Sequence, residues 1–298
     1  MIDTAAAERA VLARACNTAG IDPGAADGAE LLAFGENAVF ALPGVGIVAR
    51  IARGPHLKER ARREVAVAQW LCALDFPTVR PAAAVPVQPL EVSERPVTFW
   101  EILPPADGTP DVRDLAKLLK RLHALPEPPF ALPRREPLAL VETWLDSADA
   151  AVHLDDRRFL LDRKAALAEA YAQVRPVLAP GVIHGDALLR NVGVHGGRAV
   201  LLDLENVASD LRELDLILTP MAAVRYGLPE GSVERFARKY GFDVTGWDGY
   251  PVLRDVRELA ATAWVAQHVP GNPAAEEEFA HRVRCLRTGD TTSRWHAF

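Results

Sequence analysis

The sequence predicts an α+β protein with two lobes, on the basis of three observations. Short apolar runs typical of strands dominate the first hundred residues or so, whereas amphipathic helical periods dominate the remainder. The segment PPADGTP separates these two parts of the chain. The chain has 298 residues, enough for two packed cores. We therefore expect a small β-rich lobe over residues 1–104 and a larger, mainly helical lobe over residues 105–298, with a cleft between them.

The elements of the β-rich part can be predicted in order. An alanine-rich helix is expected over residues 4–19, ending near Gly20. The runs LLAFG, AVFALPG and VGIVARIA then predict a hairpin that turns near Pro43–Gly46. Residues 57–74 change to a helical period, with small apolar residues at spacings of four, three and four: Ala61, Val65, Ala68 and Cys72. Two further strands are expected in VRPAAAVPVQPLEV and RPVTFWEILP.

The helical part begins with the amphipathic segment DVRDLAKLLKRLHAL, for which Asp111 is the expected N-cap. Helical patterns continue through four later segments, which are residues 141–178, 210–227, 232–240 and 252–269. Two short runs interrupt them with a strand-like pattern, GVI and RAVLLDLEN.

Composition and charge exclude several classes of protein. The net charge is −6, with acids and bases interspersed, whereas a nucleic-acid binder normally has a clustered basic excess. The three cysteines lie far apart, which argues against a disulfide framework or a zinc site. The first residues lack a basic region leading to an apolar core, and no segment is long enough to span a bilayer. We expect a cytoplasmic monomer or homodimer without nucleic-acid or membrane partners.

One set of polar residues suggests phosphoryl transfer. Asp186 and Asn191 follow an apolar run, and Asp203 comes twelve positions after the amide, at the end of another. Kinase chemistry needs a carboxylate that accepts a proton from the attacking hydroxyl, and an amide and a second carboxylate that hold Mg²⁺. The alternative is structural: a helix N-cap, a turn residue and the end of a strand.

A second pair of charges fits the same chemistry. Arg50 stands in the strand GIVARI among small apolar residues, and Glu64 borders the apolar stripe of the following helix. A strand cation that faces an inward helical acid can hold a positive charge against the α- and β-phosphates of a nucleotide. The alternative is that both are solvated surface charges.

These motifs resemble those of a known family. The sequence HGD, followed after four residues by Asn191 and then by LLDLEN, resembles the signature of the aminoglycoside phosphotransferase and choline kinase family. The similarity extends to FGENAVFAL, RREVAVAQWL, VTFWEILP, LAKLLKRLHAL and RELDL, and so covers most of residues 30–220. The resemblance implies a bilobal protein-kinase-like fold and a kinase that uses ATP and Mg²⁺ to phosphorylate a hydroxyl of a small molecule.

The resemblance leaves the acceptor open. An aminoglycoside-like antibiotic, an amino alcohol such as choline, and a sugar all remain candidates, so that antibiotic resistance and primary metabolism are both open as roles. A second hypothesis is a nucleotide-binding pseudokinase that acts as a regulatory or scaffold module. A third is a metal-dependent hydrolase that would use His184, Asp186 and His195, although these do not form a recognisable zinc ligand set.

The resemblance also implies roles for single residues. Asp186 would be the catalytic base, and Asn191 and Asp203 the magnesium ligands, with Glu205 binding the metal directly or through water. Asp215 would satisfy backbone donors of the catalytic loop.

The remaining roles concern the nucleotide and the two histidines. Arg50, paired with Glu64, would contact phosphate, and Asn37 is a further candidate because the segment FGENAVFAL contains a single glycine and no glycine-rich loop. The backbone around Glu101–Leu103 would bind the adenine edge. His184 is interpreted as a structural member of its loop and His195 as part of an exposed turn.

The acceptor would be bound by a late helix. DGYPVLRDVRELAATAWVAQHV offers polar and aromatic side chains for this purpose, namely Asp255, Glu258, Trp264 and Gln267. Carboxylates bind amines and an aromatic side chain covers a ring face, which favours a polar or cationic hydroxylated acceptor. The alternative is a solvated amphipathic helix with a buried tryptophan.

Overall fold

The computed structural model describes residues 2–35 and 37–297. Within them the α-helices are α1 Ile2–Thr18, α2 Lys58–Ala73, α3 Val112–His123, α4 Val141–Ser147, α5 Leu154–Ala172, α6 Glu213–Leu216, α7 Leu218–Arg225, α8 Ser232–Tyr240, α9 Tyr250–Ala266 and α10 Pro273–Thr288. The strands are β1 Glu30–Phe34, β2 Asn37–Leu42, β3 Ile47–Ala52, β4 Leu90–Val92, β5 Arg95–Glu101, β6 Gly181–Ile183, β7 Val192–His195, β8 Arg198–Leu201 and β9 Ala208–Asp210.

The chain forms two compact units. The first comprises Met1–Pro110, Pro128–Phe130 and Arg190–Val207, and the second comprises Asp111–Glu127, Ala131–Leu189 and Ala208–Phe298. In the part of the chain that the structure describes, none of the helices has both the length and the apolar character needed to cross a membrane.

The first unit is built on a five-stranded antiparallel sheet in the order β1-β2-β3-β5-β4. Side chains alternate between its two faces, so Ala49 and Ile51 of β3 enter an apolar cluster that includes Leu12 of α1. Arg50 lies between them and points to the opposite face, where it meets Glu64 of α2. The central strand thus positions a cation opposite the helix.

Most predicted elements of this unit are confirmed. The two helices lie within a residue or two of their predicted bounds, and the hairpin turns at Pro43–Val45, with Gly46 in the left-handed conformation at φ 67°. The strand predicted in VRPAAAVPVQPLEV is largely wrong, because only Leu90–Val92 pairs with β5 as a strand. Three prolines in that segment lack the N–H that a ladder needs, and we attribute the loss of the strand to them.

A second hairpin belongs to the first unit by its contacts. β7 and β8 pair antiparallel from Val192 opposite Leu201 to His195 opposite Arg198. The Thr78 hydroxyl donates to the carbonyl of Leu201 over 2.8 Å, which fastens this hairpin within the unit. Asn191 precedes the hairpin and Asp203 follows it.

The second unit is mainly helical. Asp111 caps α3 with a capping box, accepting from the N–H of Arg113 while Asp114 accepts from the N–H of Asp111, as the sequence predicts for this N-cap. Apolar side chains of α4, α5, α9 and α10 form one core cluster, and β6 pairs antiparallel with β9 beside the helices. The loop that follows β6 carries Asp186.

Candidate active site

The loop after β6 is held by a buried carboxylate. Asp215 is inaccessible to solvent and accepts the N–H of His184 over 2.7 Å and the N–H of Gly185 over 2.8 Å. Nε2 of His123 lies 3.0 Å from the same carboxylate. Burial by itself raises the pKa of Asp215, yet these hydrogen bonds outweigh burial and lower it below its ordinary value. The expectation that Asp215 satisfies backbone donors of the loop is confirmed.

Asp186 lies at the end of this braced loop, with 9% of its surface exposed. Nδ1 of the fully buried His184 accepts the N–H of Asp186 over 3.3 Å, a structural role that agrees with the one expected for this histidine. Nη2 of Arg257 on α9 donates to Oδ1 of Asp186 over 2.6 Å. The candidate base is therefore already in contact with a cation of its own unit.

The first unit contains the predicted pair of opposite charges. Nη1 of Arg50 donates to Oε1 of Glu64, and the glutamate is buried on α2. Burial alone would lower the pKa of Arg50, but the carboxylates of Glu64, Glu205 and Asp203 outweigh it and raise the pKa. The guanidinium thus stays charged among three acids.

Glu205 joins the same network. Nη2 of Arg50 lies 3.5 Å from Oε2 of Glu205, and Arg60 of α2 donates to Oε1. Burial, and then the negative charge of Asp203, raise the pKa of Glu205 to about 7, against the lowering effect of Arg60. The carboxylate of Asp203 is therefore close enough to disfavour ionisation of Glu205.

The hairpin of β7 and β8 connects Asn191 with the segment of Asp203. The N–H of Leu202 donates to the carbonyl of Asn191 over 2.9 Å, and the asparagine is buried. Asp203 adopts a left-handed backbone at φ 57°, after which the chain turns through Leu204–Asn206. His195 ends β7 at the Gly196–Gly197 turn, and its Nδ1 lies 2.6 Å from the carbonyl of Pro104.

One cavity of the first unit collects several predicted residues. Its lining includes Asn37, Arg50, Glu64 and Glu205, together with Arg60. The polar groups proposed for phosphate binding and one of those proposed for the metal therefore face a common space.

Two backbone N–H groups of the predicted adenine-binding segment already donate hydrogen bonds within the protein. The N–H of Glu101 donates to the carbonyl of Arg80 over 2.8 Å, and the N–H of Ile102 donates to Gly46 over 2.9 Å. Glu101 is the last residue of β5 and is exposed, whereas Leu103 is half-buried.

The acceptor residues predicted on α9 do not form one surface. Glu258 is buried, and its two oxygens accept from Arg225 over 2.7 and 2.9 Å, so its assignment to acceptor binding is wrong. Asp255 accepts from Arg163 and Arg254. Trp264 packs edge-on against His268, with ring centroids 4.5 Å apart. Both acids expected to bind a cation are therefore already paired.

Two residues of the site were missed from the sequence, Arg60 and Arg257. Arg60 lies four positions before Glu64, so helical spacing could have placed it on the same face of α2. Arg257 carries no such signal, because its partner lies 71 positions away in the chain. Among the described residues, no three His, Cys, Asp or Glu side chains lie together in a way that suits a metal ion.

Comparison with known proteins identifies the family. The model of the phosphotransferase enzyme family (APH) matches residues 35–256, which is more than half of the chain. The chain belongs to this family. The predicted family and the predicted phosphotransferase activity are thereby confirmed. No curated protein sequence matches this phosphotransferase.

Solved structures share its fold at low sequence identity. Amicoumacin kinase hAmiN, in complex with AMP-PNP, Ca²⁺ and Ami, has a TM-score of 0.69 and 15% identity over 89% of this chain and 90% of its own. Choline kinase LicA from Streptococcus pneumoniae has a TM-score of 0.64 and 14% identity over 87% and 93%. A microcompartment-associated aminopropanol kinase has a TM-score of 0.62 and 17% identity over 88% and 93%. The predicted α+β, protein-kinase-like fold of this phosphotransferase is confirmed.

Proposed function

We propose that this phosphotransferase moves the γ-phosphate of ATP to a hydroxyl of a small molecule in an Mg²⁺-dependent reaction. The proposal rests chiefly on the loop that presents Asp186, because Asp215 holds it through the N–H groups of His184 and Gly185. A carboxylate on a braced loop is suited to orienting a hydroxyl and accepting its proton. The similar structures are kinases named for amicoumacin, choline and aminopropanol, which supports a small acceptor.

In the proposed reaction the acceptor hydroxyl lies against the carboxylate of Asp186. Its oxygen forms a bond to the γ-phosphorus, and the bond from this phosphorus to the oxygen that bridges it to the β-phosphate breaks. ADP leaves with the bridging oxygen, and the hydroxyl proton passes to Asp186. The contribution of the protein is to position the reactants and neutralise charge, as in other phosphoryl transfers.

The nucleotide would be bound by the first unit. Arg50, held by Glu64, offers a permanently charged group that can donate to two phosphate oxygens, and Asn37 faces the same cavity. Because the N–H groups of Glu101 and Ile102 already have acceptors, we assign the adenine edge to the N–H of Leu103 and to carbonyl groups of Glu101–Leu103.

The donor set fits magnesium. Asn191, Asp203 and Glu205 offer amide and carboxylate oxygens, which are the ligands Mg²⁺ prefers, and it commonly completes its shell with water and substrate phosphates. The charge of Asp203 disfavours ionisation of Glu205, a repulsion that a divalent cation would relieve. When bound, the ion would neutralise phosphate charge. We propose residues 1–104 as the nucleotide lobe and residues 105–298 as the lobe of the catalytic loop, metal ligands and acceptor, in a cytoplasmic monomer or homodimer. By its contacts, the segment Arg190–Val207 that carries the metal ligands belongs to the first compact unit.

The decisive experiment replaces the candidate base. Asp186→Asn should lower turnover on a competent acceptor by about 10² to 10⁴, because the proton loses its acceptor. The affinity for AMP-PNP with Mg²⁺ should stay near that of the unchanged protein. Asp248→Asn is the matched control, because Asp248 is exposed in the turn before α9.

Three outcomes would contradict the proposal. Full turnover by the Asp186→Asn variant would remove the assigned mechanism. Nucleotide binding without turnover on any acceptor would favour the pseudokinase hypothesis. Stoichiometric, tightly bound zinc in the purified protein, measured by plasma mass spectrometry, would favour the hydrolase hypothesis.

A further inference from the structure

The contact between Arg257 and Asp186 bears on the substrate. Nη2 of Arg257 donates to Oδ1 of Asp186 over 2.6 Å, and both residues belong to the second unit. The arginine side chain is 28% exposed and that of the aspartate 12% exposed. A cation that solvent reaches therefore lies directly beside the group proposed to receive the acceptor hydroxyl.

Arg225 and Arg282, which are buried in this unit, show how a purely structural arginine is bonded here. Arg225 uses all three nitrogens, donating to Glu258 and to the carbonyls of Asp290 and Ser293. Arg282 likewise donates from all three, to one carboxylate and two backbone carbonyls. Every nitrogen of these two guanidinium groups thus donates to an acceptor of the protein.

Arg257 differs from them. Asp186 is its one acceptor in the described part of the chain, and within the same residues its Nε–H has no partner although that atom is buried. A guanidinium has five donors in a planar fork that matches a carboxylate. Arg257 thus retains donor capacity beside the candidate base that the protein does not use.

The neighbouring acids do not offer a site for an amine. Glu258 accepts from the buried Arg225, and Asp255 accepts from Arg163 and Arg254. A cationic acceptor would then approach Asp186 past Arg257 with no unpaired acid on α9 to bind it. The local charge favours an anion.

We propose that Arg257 binds a carboxylate of the acceptor, so that the substrate of this enzyme is a small hydroxy acid. This inference rests on the proposed function, because it places the hydroxyl against Asp186. Arg257 and Asp186 are in hydrogen-bond contact, so the carboxylate and the hydroxyl must lie only a few bonds apart in the same molecule. As the carboxylate engages Arg257, the guanidinium turns from Asp186, which then accepts from the hydroxyl.

Binding can test this in the full chain. Isothermal titration calorimetry with AMP-PNP and Mg²⁺ present would compare glycolate, lactate, glycerate, serine, β-hydroxybutyrate and γ-hydroxybutyrate with glycerol, ethanolamine and choline. Glycerol phosphate distinguishes a phosphate from a carboxylate as the anion. At least one of the hydroxy acids should bind, and more tightly than the neutral and cationic compounds.

Two variants locate the binding. Arg257→Gln should weaken binding of that acid by about tenfold or more, the loss expected for charge-assisted hydrogen bonds, and Arg257→Lys should restore part of it. Arg254→Gln is the matched control: it removes a positive charge one turn away on the same helix, but its guanidinium donates to Asp255 rather than Asp186. It should bind the acid as the unchanged protein does.

Failure of this inference can be told from failure of the proposed function. If AMP-PNP with Mg²⁺ does not bind, the proposed function fails. If the nucleotide binds but no hydroxy acid does, or choline or ethanolamine binds more tightly, the inference alone is overturned. Equal losses in Arg257→Gln and Arg254→Gln would also overturn it, because they would indicate a general field and not a specific contact. Tighter binding of glycerol phosphate than of any hydroxy acid would overturn it as well, because the group bound by Arg257 would then be a phosphate and not a carboxylate.

Discussion

The buried carboxylate of Asp215 binds both backbone N–H groups and a histidine side chain. Its carboxylate satisfies two consecutive backbone N–H groups, those of His184 and Gly185, and also contacts the ring of His123. His123 in turn lies 2.8 Å from the hydroxyl of Tyr240. The position of the loop that carries Asp186 therefore depends on one buried charge and a chain of hydrogen bonds that reaches α8.

Replacing this residue tests that dependence. Asp215→Asn should lower the free energy of unfolding by about 3 kcal/mol at neutral pH, because the amide offers a single acceptor oxygen to the donors of the carboxylate. Turnover should fall with it. Urea unfolding measures the change, and Asp248→Asn, at an exposed position, should change neither quantity.

We also predict that the effect of Asp215→Asn on stability depends on pH. The pKa of Asp215 is lowered in the folded state from an ordinary value of 3.8, so its ionised form contributes stability above that value. This contribution is lost as pH falls through the folded-state pKa. The difference in unfolding free energy between the unchanged protein and Asp215→Asn should shrink from about pH 7 to about pH 3. A constant difference would mean that the charge is not what holds the loop.

Helix α2 sets the charge distribution of the first unit's cavity. Glu64 and Arg60 are four residues apart, so they project from one face of the helix, the glutamate to Arg50 and the arginine to Glu205. Glu205 is thereby shared between two guanidinium groups. One helix face thus determines which acids surround Arg50, the residue proposed to bind phosphate.

Removing Arg60 should weaken nucleotide binding. In Arg60→Gln, Glu205 would interact with Arg50 alone and would compete there with the phosphate, so the dissociation constant for AMP-PNP should rise about fivefold. Arg62→Gln is the control, because Arg62 is exposed on the same helix and pairs with Glu59. Unchanged or tighter binding by Arg60→Gln would show that Glu205 does not compete for Arg50.

Local signals explain which elements the sequence predicts well. The helical period of α2, the capping residue Asp111 and the turn at Pro43–Gly46 are each determined by residues close together in the sequence. They can therefore be predicted from local patterns. The strand predicted in VRPAAAVPVQPLEV forms only at Leu90–Val92, because the three prolines of this segment offer no N–H to a neighbouring strand. The strand β7 was not predicted, because four residues are too few for an alternating pattern to be clear.

In the candidate site, too, local patterns predict some contacts and not others. The pairing of Arg50 with Glu64 could be predicted, because strand alternation and helical spacing fix which face each side chain takes. The partners of Glu258 and Asp186 could not, since buried positions occur around much of α9 and the pairing arginines lie 33 and 71 positions away. Patterns indicate that a polar residue is buried, but only the fold determines what neutralises it.

Within the second unit, Arg225 connects three separate parts of the chain. This side chain is inaccessible to solvent, and it connects α7 with Glu258 of α9 and with the carbonyls of Asp290 and Ser293. Two guanidinium groups contact the ring of Trp295, that of Arg225 at 4.4 Å and that of Arg282 at 4.7 Å from the ring centroid. The segment after α10 is therefore fixed to the helices by buried charge.

Glu258→Gln should consequently affect stability and not substrate recognition. It leaves a buried arginine without its counter-ion, and breaking such a pair costs about 3 kcal/mol in the free energy of unfolding. The KM for a competent acceptor should stay unchanged. Glu277→Gln, at an exposed position of α10, should alter neither value in denaturant unfolding and steady-state kinetics. A raised KM at unchanged stability would reinstate Glu258 as an acceptor residue.

The left-handed backbone at Asp203 limits which residues can occupy this position. At φ 57° a β-carbon is strained, and aspartate, asparagine and glycine are the residues that adopt this conformation most readily. An alanine introduced there would mix the loss of a carboxylate with a distorted turn, so its effect on metal affinity would be uninterpretable. Asparagine removes the charge while keeping the turn. Natural variation at this position should be confined to the same few residues.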